Sequence, residues 1–445
     1  MTLPKPFLNR ERRQQDAPRT SVEWAEQALS RAVSHPSIMT VTTAGRARRV
    51  ARQSDLRRGR GSLLRPLDGV PVVVKDLFDL KGLPTTAGAA VPYRALAEHD
   101  AEVVAALATA GAVVVGRTSM TELAFSGLGI NPHHGTPAII GRSGTAHVPG
   151  GSSSGAAAAV TAGIAPVSIG TDTSGSVRIP AAFHGIFGYK ATAGRYPTGG
   201  MVPLAPSLDS IGILAADLEH VAVADAVLRG GEAPPPADDG PLTLTVPDSE
   251  VTQDVEPAVA RHFAAALRKL RDAGIRVTSA GLPEIDEALA LTRTQGPLVG
   301  MEAWRVHRRF LEENEARMDP RVASRLRQSA GASDAHLAAV QAQRRALARR
   351  SQRGFSGNRL VVYPTVACTS PALEPLLRDD DAYVAANARV LRNTMVANLL
   401  DWCAVTVPMD VDAEGLWSGL MLCAGRLQDR ALLRAAALVV TALMR

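Results

Sequence analysis

The chain has 445 residues, of which 46% are hydrophobic, 21% are charged and 4% are aromatic. This composition is ordinary for a globular enzyme, and the scarcity of aromatic side chains argues against a stacking platform for single-stranded nucleic acid. The formal net charge of +6 comes from arginines that cluster at 46–65 and 344–353. Because both stretches have helical patterns, we interpret them as solvated helix faces and expect no nucleic-acid partner.

Cysteine usage and hydropathy predict the compartment. Cys368, Cys403 and Cys423 are widely spaced and form no CxxC pair, which is typical of buried thiols in a reducing compartment. The N-terminal residues contain no apolar core of a signal peptide, and no stretch approaches the ~18 apolar residues of a membrane span. We therefore expect a cytoplasmic protein without a membrane partner.

The residues before 178 alternate predicted helices and strands. Helices are predicted at 21–34, with Ser21 as the N-cap, and at 43–59, 100–110 and 119–125. Strands are predicted at 72–74, 112–116 and 166–171. The first strand, VVV, leads into Lys75. A run of β-branched residues without polar alternation is typical of a strand that is buried on both faces under helices.

The residues after 178 continue this alternation. The segment 179–189 is short and irregular, and Gly230–Gly240, rich in Gly and Pro, is the predicted linker. Strands are predicted at 242–246, 275–279, 360–364, 404–408 and 418–423. Helices are predicted at 217–229, 257–273, 380–400 and 429–443, with a largely helical stretch over 285–353. Alternating strands and helices predict the α/β fold class.

The most unusual stretch is residues 149–178, PGGSSSGAAAAVTAGIAPVSIGTDTSGSVR. Two turns rich in Gly and Ser, at 150–155 and 171–176, are joined by a predicted helix and strand. Glycine permits close approach of the backbone, and serine supplies hydroxyl groups that can donate, accept or attack. This arrangement indicates the base of an active site rather than a linker.

Three residues could carry the chemistry: Lys75, Ser152 and Ser176. A lysine at the buried end of a strand loses affinity for its proton and can act as a base. Backbone N–H groups of the turn GTDTSGS could converge on one oxygen as an oxyanion hole. These are the N–H groups of Thr173, Ser174, Gly175 and Ser176. The residues alone leave simpler alternatives open: a lysine that extends into water, a serine that caps a helix, and a turn that only links strand to helix.

Other common sites fit the sequence less well. It lacks the GxxxxGK[ST] and HExxH motifs, which argues against a phosphate-binding loop and a zinc protease helix, and we expect no hydrolase elbow. A Ser-His-Asp triad would need a histidine from a loop or a turn, and no spacing favours any of them. Because His133 and His134 are adjacent, their side chains are expected to point apart, so we expect no metal site.

Five segments resemble the amidase signature family of serine hydrolases. They are GVPVVVKDLFDLKGLPTTAG at 69–88, PGGSSSGAAAAVTAG at 149–163, GTDTSGSVRIPAAFHGIFGYKATAGRYPTGG at 170–200, PSLDSIGILA at 206–215 and NLLDWCAVTVP at 398–408. The resemblance implies a central mixed, largely parallel twisted sheet covered by helices on both faces. It also implies a helical segment at 1–66, a signature core at 67–230, and a C-terminal part at 231–445 that completes the same α/β unit with a helical insertion near 285–353.

The family uses a Ser–cis-Ser–Lys triad, and the resemblance places it on Ser176, Ser152 and Lys75. Ser176 is the expected nucleophile. Ser152, after a cis peptide bond from Gly151, is expected to relay the proton of Ser176 to a neutral Lys75. The implied reaction is hydrolysis of a carboxylic amide C–N bond to a carboxylate and ammonia or an amine, through an acyl-enzyme. The resemblance implies no metal or organic cofactor.

The resemblance also implies supporting positions. Asp172 and Arg178 are expected to hold the loop of the nucleophile, through contacts to the backbone or to each other. A contact between Arg178 and a substrate carboxylate is the alternative. The segment in FSGLGINP that is expected to line the acyl pocket consists of Ser126, Gly127 and Leu128.

The sequence departs from the family pattern at Ser174, where glycine is frequent, and at Ala191, where proline is usual. These departures concern the shape of the pocket, whose walls are expected to come from loops and from the helices at 285–353. Three functional hypotheses follow: a stand-alone amidase acting on a small-molecule amide, which could form a homodimer; the glutaminase subunit of a tRNA-dependent amidotransferase; and a non-catalytic binding protein on an amidase fold. The region 316–333, ARMDPRVASRLRQSAGAS, lacks the GTY-type element usual in such glutaminase subunits.

Overall fold

A computed structural model describes residues 20–64, 66–230, 240–355 and 358–444. Most of the predicted linker Gly230–Gly240 lies outside the described residues, and so do residues 1–19 of the predicted N-terminal segment. Within the described ranges, none of the helices has both the length and the hydropathy that are needed to cross a membrane.

The strands organise the described residues into one large sheet and two small ones. In chain order the strands are β1 (Met39–Thr42), β2 (Pro71–Lys75), β3 (Pro84–Thr85), β4 (Arg94–Leu96), β5 (Val113–Thr118), β6 (Ile139–Ile140), β7 (Ala146–His147), β8 (Val167–Asp172), β9 (Phe187–Lys190), β10 (Ser210–Ala215), β11 (Thr243–Pro247), β12 (Arg276–Ala280), β13 (Arg359–Pro364), β14 (Cys403–Val411) and β15 (Trp417–Ala424). The large sheet has the order β1-β5-β2-β8-β10-β9-β14-β15-β13-β11-β12, and β3–β4 and β6–β7 form the small sheets.

The helices alternate with these strands. They are α1 (Ser21–Ser34), α2 (Ala44–Gly59), α3 (Glu102–Thr109), α4 (Ser154–Thr161), α5 (Arg178–His184), α6 (Leu218–Leu228), α7 (Glu250–Gln253), α8 (Pro257–Asp272), α9 (Pro283–Gln295), α10 (Leu298–Asn314), α11 (Pro320–Arg327), α12 (Asp334–Ser351), α13 (Leu373–Arg378), α14 (Asp380–Leu399) and α15 (Asp429–Leu443). Short 3₁₀ turns lie at Glu122–Ala124, Glu315–Arg317 and Gln352–Gly354.

Parallel and antiparallel pairs occupy different parts of the large sheet. β5, β2 and β8 pair in parallel, and so do β12, β11 and β13. Between these blocks, all neighbours from β8 to β13 are antiparallel. The connection 412–416 between β14 and β15, for example, is too short for a parallel crossover. The mixed α/β class is confirmed, and the antiparallel share is larger than the resemblance implies.

The large sheet is continuous between the two halves of the chain. β9 pairs with β14, so backbone hydrogen bonds connect the halves on either side of the predicted boundary at 230. The division into segments 1–66, 67–230 and 231–445 stays a prediction.

Helices cover both faces of β2. Val72 and Val74 belong to a buried cluster with Leu107 of α3, whereas Val73 belongs to another cluster with Leu29 of α1. All three valines are 0% exposed, which explains why the strand has no polar alternation. The strand therefore carries its last residue, Lys75, into the interior.

The sequence predictions are weakest between residues 178 and 215. The segment 179–189 folds into most of α5 and β9, and β10 is not predicted from the sequence. Gly185, with φ 63, ends α5 after seven residues. Elements of this length contain too few residues to establish a hydrophobic period, so tertiary packing decides their conformation.

Two predicted helices also differ from the structure, one at its start and one in its type. Thr20, and not Ser21, is the N-cap of α1: its side chain accepts a hydrogen bond from the Glu23 N–H, and the Glu23 carboxylate accepts one from the Thr20 N–H. The predicted helix at 119–125 is reduced to a 3₁₀ turn. Leu123 and Ala124 have left-handed backbone angles, φ 50 and φ 60, which an α-helix does not accommodate.

The glycine that ends α5 gives a test of this packing. A Cβ on Gly185 would lie 2.4 Å from the ring of Trp417. We expect Gly185→Ala to lower the free energy of unfolding by about 2–4 kcal/mol, because it adds both left-handed backbone strain and a steric overlap. Urea unfolding followed by circular dichroism measures this loss.

Gly274→Ala is the matched control. Gly274 also has a positive φ, of 83, but apart from its chain neighbours no heavy atom of the described residues lies within 4 Å of a Cβ added there. This variant should lose only about 1–2 kcal/mol through backbone strain. Equal losses for the two variants would contradict the steric explanation.

Candidate active site

Lys75 is fully buried at the end of β2. Its Nζ donates hydrogen bonds to Ser152 Oγ at 2.7 Å and to Thr171 Oγ1 at 2.9 Å. Burial lowers the pKa of Lys75 to about 7, although the negative charges of Asp172 and Asp209 act in the opposite direction. A large fraction of this amine is therefore neutral near pH 7, and it can take a proton from a hydroxyl group.

The two Gly/Ser turns lie against each other. The Ser153 N–H donates a hydrogen bond to the Ser176 carbonyl at 3.1 Å, and the Gly151–Ser152 peptide bond is cis, as expected. Ser152 is 0% exposed and Ser176 is 4% exposed. The structure thus joins Lys75 to the first turn and joins the first turn to the second.

The simpler alternatives for Lys75 and Ser152 are wrong. Lys75 does not extend into water, since its side chain is completely enclosed. The N-cap of α4 is Ser153 and not Ser152, and it makes no side-chain capping bond. The hydrogen bond between Lys75 and Ser152 is therefore not explained by helix capping or by solvation.

Asp172 and Arg178 hold the turn that carries Ser176. Arg178 Nε and Nη2 donate to the two carboxylate oxygens of Asp172 at 3.0 and 2.8 Å. Burial raises the pKa of Asp172, but the charge and hydrogen bonds of Arg178 outweigh it and hold this pKa at about 2. The expected contact between the two side chains is confirmed. The alternative contact with a substrate carboxylate does not fit, because Arg178 is 0% exposed.

One of the four predicted oxyanion donors is engaged elsewhere. The Gly175 N–H donates to Asp172 Oδ1 at 2.9 Å. This hydrogen bond closes the turn, so the N–H group is not available to a substrate. We therefore correct the predicted set by removing Gly175. The N–H groups of Thr173, Ser174 and Ser176 stay predicted donors.

The segment 126–128 lies beside the first Gly/Ser turn. The Gly151 N–H donates to the Gly127 carbonyl at 2.7 Å. Ser126 Oγ and the Gly127 N–H both donate to Asn387 Oδ1 of α14, at 2.9 and 2.8 Å. The Ser126 hydroxyl thus supports the loop, and the part of this segment in substrate binding stays a prediction.

Sequence reasoning missed four supporting residues: Thr171, Asp209, Asn387 and Asn398. Asp209 accepts a hydrogen bond from Thr173 Oγ1 at 2.6 Å, and Asn398 Nδ2 donates to the Asp172 carbonyl at 2.9 Å. Asp209 and Asn398 lie in PSLDSIGILA and NLLDWCAVTVP, two segments that carry the family resemblance, so a signal was present for them. Asn387 lies in the middle of α14 without any such motif.

A cavity of about 390 Å³ opens beside the second turn. Thr173 and Ser174 border it, and the remaining lining comes from the stretch before β10 and from α9, α10, α11 and α14 and their connections. Residues of the helices within 285–353 thus line this cavity, and their expected contribution to the substrate pocket stays a prediction. A larger cavity, of about 560 Å³, lies between α8 and α15 and touches none of the predicted site residues.

The histidines and cysteines form no cluster of metal ligands in the described part of the chain, where no group of three or more His, Cys, Asp or Glu side chains could hold a metal ion. His133 Nε2 faces a carboxylate oxygen of Glu122 at 3.5 Å, whereas His134 Nε2 contacts the Ala89 carbonyl at 3.1 Å. The two adjacent rings thus have different partners. The three cysteines are buried and free.

The chain is similar to known proteins over most of its length. A sequence model of the family described as Amidase matches residues 23–433. A 2-amino-5-chloromuconic acid deaminase from Comamonas testosteroni is 36% identical over 85% of this chain and 82% of its own. An indoleacetamide hydrolase from Pseudomonas syringae pv. syringae is 32% identical over 83% of this chain and 84% of its own.

Two further comparisons extend over nearly the whole chain. One subunit of a glutamyl-tRNA(Gln) amidotransferase from Anaeromyxobacter dehalogenans is 32% identical over 94% of this chain and 92% of its own. Among solved structures, the crystal structure of an amidase superposes with a TM-score of 0.83 and 27% identity, covering 99% of both chains. These similarities confirm the resemblance that the sequence motifs carry.

The Asp172–Arg178 pair gives a test of what holds the site together. Asp172→Asn leaves a buried guanidinium without its counterion, and we expect it to lower the free energy of unfolding by about 3–5 kcal/mol. Chemical denaturation at pH 7 measures this loss. Because the pKa of Asp172 is depressed to about 2, the stabilisation in the wild type should be complete at neutral pH and be lost as the pH falls toward 2.

Glu313→Gln is the matched control, because its ion pair with Arg309 lies at the surface, with side chains 57% and 86% exposed. Such a pair contributes about 0.5 kcal/mol or less. If Asp172→Asn were no more destabilising than Glu313→Gln, the buried pair would not be what holds the turn.

Proposed function

The chain belongs to the amidase family and hydrolyses an amide C–N bond, and we propose that it does so through an acyl-enzyme on Ser176. One observation carries this proposal: the fully buried Lys75, whose Nζ lies 2.7 Å from Ser152 Oγ. A buried amine with a pKa of about 7 is a suitable base for hydroxyl chemistry near neutral pH. The turn of Ser176 contacts the segment that carries Ser152.

In the proposed reaction, Ser152 Oγ takes the proton of Ser176 and passes its own proton to the lone pair of the neutral Lys75 amine. Ser176 Oγ attacks the amide carbonyl, whose developing negative charge is stabilised by the backbone N–H groups still predicted for the oxyanion hole. The proton returns along the same route to the leaving nitrogen, and the C–N bond breaks. Water, deprotonated through the same relay, then attacks the ester on Ser176; the bond to Ser176 Oγ breaks, the proton returns through Ser152 to this oxygen, and the carboxylate is released.

A small-molecule amide is the substrate class that we propose. Two of the relatives, a deaminase and a hydrolase, are named for small molecules, 2-amino-5-chloromuconic acid and indoleacetamide. The cavity beside the turn has a largely apolar lining with a few polar groups, which is typical of small-ligand pockets. A homodimer and a cytoplasmic location stay predictions, the latter supported by the free buried thiols.

A glutaminase subunit is the second candidate. The observation that favours it is the similarity to the amidotransferase relative over 94% of this chain. The region 316–333 argues against it, because it has no GTY-type element. Ammonia release from glutamine that rises only when tRNA is added together with a partner protein would favour this candidate over a stand-alone amidase.

Removal of the proposed nucleophile tests the mechanism. Ser176→Ala should lower turnover by at least about 10⁴-fold, because no acyl-enzyme can form. Ammonia release from a panel of aliphatic, aryl and ureido amides measures this loss, and the variant should also lose covalent labelling by a fluorophosphonate. Labelling of the wild type would also exclude the non-catalytic hypothesis.

Ser154→Ala is the control for the first prediction. Ser154 lies in the serine run 152–154 of the first turn, and its buried Oγ has no hydrogen-bond partner in the described part of the protein. Its removal should leave turnover and labelling close to those of the wild type. A Ser176→Ala enzyme with the turnover of Ser154→Ala would refute the assignment of the nucleophile.

The pH dependence of the reaction tests the proposed base. Because the neutral form of Lys75 accepts the proton and its pKa is about 7, kcat/KM should rise with pH up to about 7 and level off above it. Lys75→Met should lower kcat/KM by several orders of magnitude and abolish this rise. Measurements from pH 5 to pH 10 check both, and an unchanged rise in the variant would show that another group titrates.

A further inference from the structure

The cavity beside the second Gly/Ser turn contains a cation in a largely apolar lining. Leu208, Leu298 and Leu391 are among its apolar side chains, and among the described residues Arg325 of α11 is the only charged one that lines it. Pockets for small molecules are mostly apolar, and a few placed polar groups in them fix the ligand. A single guanidinium in such a lining favours a ligand with one anionic group near an apolar part.

Arg325 has no carboxylate partner in the described part of the chain. Its Cζ lies 4.3 Å from the centre of the Phe125 ring, and its Nη1 donates to the Phe125 carbonyl at 2.9 Å. Burial lowers the pKa of Arg325. A guanidinium nevertheless stays protonated at pH 7. The side chain is thus held in place while its charge lacks a counterion.

Two other arginines of α11 differ in this respect. Arg321 pairs with Asp319 at 3.0 Å, and Arg327 pairs with Glu315. A partly buried positive charge without such a partner is costly for a protein to retain. A bound anion would remove that cost, because it would compensate the positive charge of Arg325 in the cavity.

Arg325 is also connected to the predicted acyl-binding segment 126–128. Phe125, which holds the guanidinium through its ring and its carbonyl, directly precedes this segment. Leu391 lines the cavity and packs closely on Gly127, where an added Cβ would lie 3.0 Å from it. The cavity therefore lies between the second turn, the predicted acyl segment and Arg325.

We propose that Arg325 binds a carboxylate of the substrate, so that the preferred substrates are amides that carry a carboxylate separated from the scissile bond by an apolar chain. This inference rests on the proposed function, because it assumes that the amide is attacked beside the turn of Ser176. Arg325 determines specificity in this arrangement and takes no part in the proton relay. The apolar side chains of the cavity contact the chain between the two polar groups.

Paired substrates test this proposal. Ammonia release is measured from the monoamides of linear dicarboxylic acids, from succinamic to suberamic acid, and from the primary amides of the matching monocarboxylic acids. We expect the wild type to favour at least one acidic amide over its neutral counterpart by about 10- to 100-fold in kcat/KM, the effect of a hydrogen bond to a charged group. Arg325→Gln should lose this preference through a higher KM for the acidic amide, with kcat for neutral amides retained.

Two further variants make the result specific. Arg325→Lys should restore part of the preference, because it keeps the charge but not the bidentate fork of the guanidinium. Arg327→Gln, which removes a 58% exposed arginine of the same helix, should leave the preference unchanged. The proposal is overturned if the wild type favours no acidic amide, or if Arg325→Gln lowers kcat/KM equally on both series.

A binding measurement separates this inference from the proposed mechanism. Ser176→Ala and the double variant Ser176→Ala/Arg325→Gln are titrated calorimetrically with the same acidic amides. Weaker binding to the double variant by about 10-fold or more supports the role of Arg325, even if turnover refutes Ser176 as the nucleophile. Equal binding to both variants overturns the inference and leaves the acyl-enzyme proposal to its own tests.

Discussion

Two opposite charges that are enclosed together, on Asp172 and Arg178, determine the geometry of the loop that carries Ser176. Removing a carboxylate and a guanidinium from water costs several kcal/mol for each, and the bidentate contact between them offsets that cost only in a fixed orientation. In that orientation the carboxylate also accepts the Gly175 and Val177 N–H groups. The loop therefore has one closed conformation, and this conformation orients the peptide groups between Gly175 and Val177.

The surroundings of two buried lysines show why one is suited to proton transfer and the other is not. Burial lowers the pKa of both Lys75 and Lys190. Lys75 donates to hydroxyl groups, which can exchange protons with it. Lys190 donates to the carbonyls of Ala191 and Trp402, which have no proton to give. Lys190 thus ties β9 to the start of β14, and only Lys75 of these two is placed for acid–base chemistry.

The sequence predicts those parts of the site that depend on local pattern. The run VVVK places a lysine at a buried strand end, and the density of Gly and Ser marks both turns. It does not predict that the Gly175 N–H turns toward Asp172, because that direction depends on the closed loop. It also gives no sign of Asn387, whose contact with Ser126 joins residues 261 positions apart. The short elements α5, β9 and β10 are missed for a similar reason, since their conformation depends on strands from distant parts of the chain.

α14 contacts both the loop of Ser126, through Asn387, and the turn of Ser176, through Asn398, and these contacts have a consequence for biosynthesis. Asn398 contacts Arg178 across 220 positions of sequence, so the helix that holds the two loops leaves the ribosome long after the loops themselves. Contacts of such high sequence separation slow folding, because closing the long intervening loop costs entropy. A nascent or carboxyl-terminally truncated chain that ends before α14 would contain Lys75, Ser152 and Ser176 yet lack both asparagine amides. Such a fragment would lack the hydrogen bonds with Asn387 and Asn398 that hold the loop of Ser126 and the turn of Ser176 in place.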